Sequence, residues 1–503
     1  MEEAKRAQLA KDLEGIVGAK FVATEDFHRW AYAIGEWISV AYPPIKRWDG
    51  GEYAPPDIIV KPQTTEQVSE IMKLANETKT PVIVRGGAEG NAAGPTPLKQ
   101  FRGIVLDMTD MQKIIGYDEI SRCVRFEAGT KWGKLHDYLK KKGLYMGFMG
   151  PHGMLGAALG GSIALNTVGV GGAKYGQENE NVLTLKVVLP TGEIIKTGSR
   201  SNKVAQWYHR YCNGPDLAGI FLGSCGAFGV ITEVAYKAYP LPPFEITKAH
   251  YFPDDAAMAR SVYEADSYDY LYEYIGVGAY GLTEDLLPSL TGMRGAPINI
   301  SVLNAYDEDI LRKQEEAVDN IVKKHHGKEL PVKNLMSAIG MSMADTNELG
   351  GGGIAKLAGG VPEKTCSLLP ILMVPKMNKA CADFFEKHND ALITHPLLGK
   401  KAWAVAWLSG SNHGIATTIT ALIGDPSTPE SRQAFYDLWH ESLEAKWDAQ
   451  TCAYWIGKDA HWPHLEKRFD PTYVEFMNKI KRALDPNNIM NPGVIGLGVE
   501  ASK

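Results

Sequence analysis

The chain has 503 residues, of which 45% are hydrophobic and 22% charged, and a formal net charge of −6. That length predicts two or more domains, each able to bury its own core. Scattered Lys and Arg give no stripe for nucleic acid, and no segment has the length and apolarity of a membrane span. The six cysteines, at 123, 212, 225, 366, 381 and 452, form no CxxC pair, which argues against a disulfide framework, a zinc knuckle or an iron–sulfur site.

MEEAKRAQLAKDLEGIVG reads as a charged amphipathic helix without a signal-peptide core, so a cytoplasmic protein with reduced thiols is expected. PDIIVKPQTTEQVSEIMKLANETKTPVIVRGG predicts strand, helix, strand, with Thr64 or Thr65 as helix cap and Glu66 at its positive end. Strands are predicted over 103–108 and 123–130 with a turn around Gly116, then a helix ending at Gly143. NVLTLKVVLPTGEIIKTG reads as a hairpin turning at Pro190-Thr191-Gly192. The prolines near residue 243 mark a boundary. Beyond it, longer helices such as 309–327 and 429–447 alternate with strands such as APINISVLNAY and KAWAVAWLSG. The glycine run 349–360 reads as a loop or lid, and the chain closes with a helix and a Pro/Asn/Gly-rich tail.

Glycine-rich turns after strands offer backbone N–H groups to an anion without Cβ atoms in the way. Three occur before residue 230: VIVRGGAEGNAAGP (82–95), LGGSIALNTVGVGGAKYG (159–176) and LGSCGAFGVITE (222–233). One alone fits a tight turn; three in one α+β region favour a large phosphate-bearing cofactor. None matches G-x-G-x-x-G, the stretch Gly129–Lys134 is one residue short of a Walker loop, and no G-x-S-x-G elbow occurs.

PVIVRGGAEGN, GGSIALNTVGVGGAKYG…VLTLKVVLPTGEIIKTG, GIFLGSCGAFGVITE and ALDPNNIMNPG, in that order, resemble FAD-binding oxidoreductases of the vanillyl-alcohol oxidase / p-cresol methylhydroxylase (PCMH) type. The resemblance implies an α+β fold: a two-subdomain PCMH-type FAD-binding domain with an inserted α+β cap. It divides the chain into 1–243, a cap over 244–450, and 451–503 returning to the FAD domain. FAD would be held by Arg85, Gly86, Gly87, Ala88, Glu89, Gly90 and Asn91 of the first loop and by Pro151. Gly160, Gly161, Ser162, Asn166, Gly169, Gly172 and Tyr175 of the second segment, Gly229, Val230 and Ile231 of the third, and Asn491 of the tail would complete the set. The implied chemistry is hydride transfer from an alcohol or an aromatic substrate to flavin N5.

Two branches of the family compete. The second and third segments look like those of 2-hydroxy-acid (glycolate and D-lactate) dehydrogenases, but that branch's Gly-Asp-Gly-Asn-Leu-His and Glu-His-Gly segments do not occur here, so no metal site is expected. The phenol branch has Tyr-Arg after the last cap helix, where this chain has Tyr454-Trp455. It also has a first-loop tyrosine, where this chain has Glu89. Carboxylate and indole do not stabilise a phenolate as tyrosine and arginine do, so an aromatic or bulky alcohol suits the changed residues better. Tyr454 is the candidate for positioning substrate, and Glu89, His413, His461 and His464 are candidate bases, each with a structural or solvated alternative. The first loop has no histidine, so non-covalent FAD is expected, with His413 the dissenting attachment point. Cys225 reads as tight packing beside the cofactor. The partners expected are a small-molecule substrate, a second copy in a homo-oligomer and, for an electron-transfer subunit, a separate cytochrome or iron–sulfur protein.

Overall fold

Thr64 sits in extended backbone, and its Oγ1 accepts the N–H of Gln67 at 3.1 Å. This satisfies an amide that the first turn of the helix Thr65–Thr78 leaves unpaired. Val68, Ile71, Met72 and Ala75 recur at helical spacing and are buried, against a core shared with Leu9, Leu13 and Val17 of the helix Glu3–Val17. Beneath lies a four-stranded sheet in the order Val22–Ala23, Ile58–Val60, Ile104–Asp107, Val82–Arg85. Its last three strands run parallel, as strand–helix–strand connections allow. The computed structural model describes residues 1–33, 52–90, 94–150, 156–330, 361–396, 399–425, 427–454 and 465–498. Asn91, Pro151, Trp455, His461, His464 and the run 349–360 lie outside them.

A five-stranded antiparallel sheet follows, in the order Ile114–Asp118, Cys123–Glu127, Val230–Lys237, Val182–Val188, Ile194–Lys196. The hairpin at Pro190–Gly192 forms, with Gly192 at φ +95° and Leu189 N–H donating to Glu193 O at 2.9 Å. The turn expected around Gly116 does not: Gly116 lies inside its strand, at a register shift. The chain reverses at residues 119–122, because Asp118 accepts from Ile120 N (3.0 Å) and Ser121 Oγ (2.7 Å) and sets the turn there.

From Phe244 the chain builds one antiparallel eight-stranded sheet. Its order is Lys328–Leu330, Phe244–Tyr251, Ile298–Ala305, Glu273–Val277, Trp403–Ser411, Ile415–Gly424, Val361–Pro370, Cys452–Ala453. The helices Asp255–Ser267, Glu308–Lys324, Val374–Lys387 and Pro429–Asp448 cover one face. They pack on Tyr274, Leu303, Val405, Trp407 and Leu422. The alternate residues Ile275, Leu368, Leu408 and Ile419 therefore point the other way, toward Val168 and Tyr454. At this junction Tyr145, Tyr175, Tyr239 and Tyr272 pack as one cluster, with the Tyr175 and Tyr239 ring centroids 4.5 Å apart. Among the described residues no helix is long and apolar enough to cross a membrane.

Candidate active site

Four separate stretches of backbone meet at one place, and Asn491 joins three of them. Its N–H donates to Val82 O at 2.8 Å, and its Nδ2 donates to Cys225 O (2.8 Å) and Gly94 O (3.3 Å). Val82 N–H donates in turn to Ile489 O at 2.7 Å, so the tail lines the edge of the four-stranded sheet. The fourth stretch, the short helix Leu159–Leu165, is tied in by Cys225 N–H to Ala164 O (2.8 Å) and Gly223 N–H to Ile163 O (3.2 Å). Buried Lys481 clamps the tail: its Nζ donates to Asp485 Oδ2 (2.7 Å), Met490 O (2.5 Å) and Ala227 O (2.9 Å). The i,i+4 spacing of Lys481 and Asp485 on the helix Pro471–Leu484 and its C-terminal cap was the sequence signal for this clamp.

Several features of this junction fit an extended ligand. Ala88, Asn166, Cys225 and Asn491, one from each stretch, all adopt positive φ, at +60°, +54°, +50° and +41°. Asparagine adopts this region readily, and Asn166 does so as the C-cap of its helix, but Ala88 and Cys225 hold it only where the surroundings impose it. Asn166 Oδ1 and Asn491 Oδ1 are buried acceptors with no protein donor, and such groups call for a partner. The glycines divide. A Cβ on Gly86 would lie 3.1 Å from Ala158 Cβ, on Gly87 2.5 Å from Gly156 O, on Gly90 2.9 Å from Leu165 Cδ1, and on Gly160 2.5 Å from Ala128 Cβ. On Gly161 it would meet nothing among the described residues nearer than Gly86 Cα at 4.0 Å. Protein packing explains the first four, while Gly161 leaves its side open, as a cofactor lying against the backbone requires.

Around this junction, Arg85 ends its strand with its guanidinium 4.9 Å above the Tyr32 ring and Nη1 3.3 Å from Tyr32 O; burial lowers its pKa. Ser162 Oγ donates to Glu178 Oε2 at 2.7 Å and accepts from Trp132 Nε1 at 3.2 Å. Glu178 is fully buried, and burial pushes its pKa well above the carboxylate range. Glu89 turns its carboxylate against Gly156, where a Cβ would lie 2.1 Å from Oε1. Lys131, whose Nζ donates to Gly156 O, is close enough for Glu89 to act on its charge. Gly229, Val230 and Ile231 start a strand: a Cβ on Gly229 would meet Val187 Cγ1 at 2.8 Å, and the other two pair with Val188 and Val187.

The second half of the glycine segment faces the cap. A Cβ on Gly169 would lie 2.2 Å from Met149 O, and on Gly172 2.7 Å from Ser409 Oγ. Tyr175 joins the tyrosine cluster and accepts from Tyr145 Oη at 2.5 Å; burial raises its pKa. Val168 N–H donates to the Tyr454 hydroxyl oxygen. Tyr454 is 5% exposed, packed with Val168, Cys366 and Leu408, so this candidate sits where cap and glycine segment touch. His413 is not brought there. It is exposed in the turn Ser411–Gly414, with Nδ1 3.1 Å from Asn412 Oδ1. Sequence reasoning passed over Glu273, a lone carboxylate in the apolar run YLYEYIGV, which accepts from Gly171 N at 2.7 Å. Among the described residues no cluster of His, Cys, Asp or Glu is placed to hold a metal ion.

Residues 56–198 match the family model described as FAD binding domain, and residues 456–495 the model described as FAD linked oxidases, C-terminal domain. The chain is 28% identical to the mitochondrial D-lactate dehydrogenase [cytochrome] of Arabidopsis thaliana, over 87% of this chain and 73% of that protein. It is 25% identical to the glycolate oxidase subunit GlcD of Bacillus subtilis (strain 168), over 87% of this chain and 88% of that protein. In three dimensions it resembles substrate-bound p-cresol methylhydroxylase, with TM-score 0.79 and 18% identity, covering 99% of this chain and 98% of that one. The α+β fold is therefore that of a PCMH-type FAD-binding domain carrying a cap, and the chain is an FAD-dependent oxidoreductase.

Proposed function

We propose that the chain takes a hydride from an uncharged alcohol or an aromatic (benzylic or phenolic) substrate lodged between the four-loop junction and the cap sheet. The observation that carries this is the cap face itself, where Ile275, Leu368, Leu408 and Ile419 gather with Val168 and Tyr454. An apolar wall favours such a molecule over the carboxylate of a 2-hydroxy acid, whose charge would need a desolvated partner. When bound, FAD supplies the electron chemistry. It would be held by the first loop, by Gly160, Gly161, Ser162 and Asn166, and by Asn491, without a covalent bond. Tyr454, anchored by Val168 N–H, orients the substrate oxygen, and Glu89 stands at the polar end as proton acceptor. Residues 1–243 and 451–503 would form the FAD-binding part and 244–450 the cap, with Cys452–Ala453, just past that boundary, still pairing with the cap strand Val361–Pro370.

The second reading, a 2-hydroxy-acid dehydrogenase that passes electrons to a separate acceptor protein, is favoured by the D-lactate and glycolate relatives. One experiment separates the two: anaerobic mixing of the yellow holoenzyme with 4-hydroxybenzyl alcohol, 4-ethylphenol, D-lactate and glycolate in turn. Bleaching of the flavin by the aromatic compounds is expected. Bleaching by D-lactate or glycolate alone would replace the first reading with the second. Acid precipitation of the same sample should leave a colourless pellet.

A further inference from the structure

We propose that Glu273 is a positioning residue: it fixes the Val168–Gly172 backbone to the cap and so sets where the Tyr454 hydroxyl stands. Glu273 lies on a cap strand and is 1% exposed. Its Oε2 accepts from Gly171 N (2.7 Å), Gly172 N (3.3 Å) and Ser409 Oγ (2.5 Å). Its Oε1 accepts from Ser409 N (3.2 Å) and Tyr274 N (3.0 Å). Together these bonds engage both carboxyl oxygens, on the FAD-domain side through Oε2 and within the cap through both.

The approach is built from both sides. Gly172 has no Cβ to strike Ser409, and Gly171, at φ +92°, has none to strike Gly147 O, 2.4 Å from where it would stand. In the same segment Val168 N–H meets Tyr454. One short length of FAD-domain backbone is thus gripped near each end, by Glu273 of the cap and by Tyr454 just beyond the last cap strand, and releasing one grip frees the other. This rests on the reading of Tyr454 as the substrate-orienting residue, but amide exchange tests it without any substrate, so failure of the substrate panel leaves the test intact.

Ionisable neighbours of Glu273 are Tyr272 and Tyr274 on its own strand, with Glu245, Tyr175 and Asp266 beyond them. Lys174 is tied to Asn304 Oδ1 at 2.8 Å. Burial pushes Glu273 up to about 7 and Asp266 up to about 6. A closed latch that raises the pKa binds the proton more tightly than an open, hydrated one, so closing weakens as pH rises toward 7 and then levels off.

The test is residue-resolved hydrogen exchange on the full-length holoenzyme, corrected for intrinsic rates, at pH values from 5 to 8. In Glu273→Gln, exchange at Gly171 and Val168 should rise about tenfold while the five-stranded sheet stays unchanged, and the pH dependence specific to wild type should vanish. Asp266 is present in both proteins, so the difference isolates Glu273. Ser409→Ala, a milder change, removes a donor that lowers the Glu273 pKa and should move the wild-type transition to higher pH. Val168 exchange and pH profiles equal to wild type in both variants would overturn the proposal.

Discussion

Gly161 differs from the glycine before it in what a methyl group would meet. A Cβ on Gly160 would stand 2.5 Å from Ala128 Cβ, whereas one on Gly161 has 4.0 Å to its nearest protein neighbour. Gly161→Ala should leave the melting temperature of the apoprotein unchanged or slightly raised, since alanine favours a helix, and weaken FAD binding at least tenfold in a fluorescence titration. Gly160→Ala should lower both. Lys481 carries a different burden. It is 3% exposed, paired with Asp485 at 2%, and removing one partner of a buried pair costs about 3–5 kcal/mol. Lys481→Ala should lose about that much in urea unfolding, and with it the seat of Asn491.

At the scale of elements, the helix Leu159–Leu165 is pinned to the turn Glu178–Asn181 through Ser162 and Glu178. Burial raises the Glu178 pKa well above its ordinary value and so favours the neutral form. Glu178→Gln should therefore melt within a degree or two of wild type, while Glu178→Ala should cost about 1–3 kcal/mol by stranding the Ser162 hydroxyl. Elements of this kind were legible where local chemistry decides them: Thr64 as a cap, the apolar stripe of Thr65–Thr78, the Pro190–Gly192 turn. The glycine-rich stretch 159–176 was legible as a close approach, but not the identity of what approaches. Ala128 faces Gly160 and Ser409 faces Gly172, and among the described residues nothing lies nearer than 4.0 Å to a Cβ on Gly161. Each is a long-range pairing that no local pattern encodes. Gly116 shows the converse, where Asp118 two residues later took the turn. Glu273 was invisible for the same reason as Ser409, since its donors come from a distant segment.

Across the whole molecule, burial raises two cap acids toward neutrality: Glu273, at the junction with the FAD domain, to about 7, and Asp266, which accepts from Gly414 N–H within the cap, to about 6. For both, the folded value lies above the unfolded one, so the folded state holds more protons between them. Their contribution to stability is complete below the ordinary carboxylate pKa and is lost as pH rises through 6 and then 7. For fully buried Glu273, moving from 4.5 to about 7, this amounts to about 3 kcal/mol. Thermal melts should show the cap transition falling between pH 5 and 7.5, less steeply in Glu273→Gln; a transition that climbs over that range would contradict the assignment.

The closing of the sheet edge by Ile489–Asn491 also has a meaning in time. Asn491 and Gly94, joined by a hydrogen bond, are 397 residues apart in sequence, which a ribosome bridges in roughly 20–80 s. Throughout that interval the first loop and the Val82–Arg85 edge exist without their last wall, and the whole cap must emerge in between. Cofactor capture therefore waits until the tail has emerged, and a nascent chain stalled before Pro471 should be made and partly folded yet colourless. Flavin supply would act after the tail segment has been made, not before it.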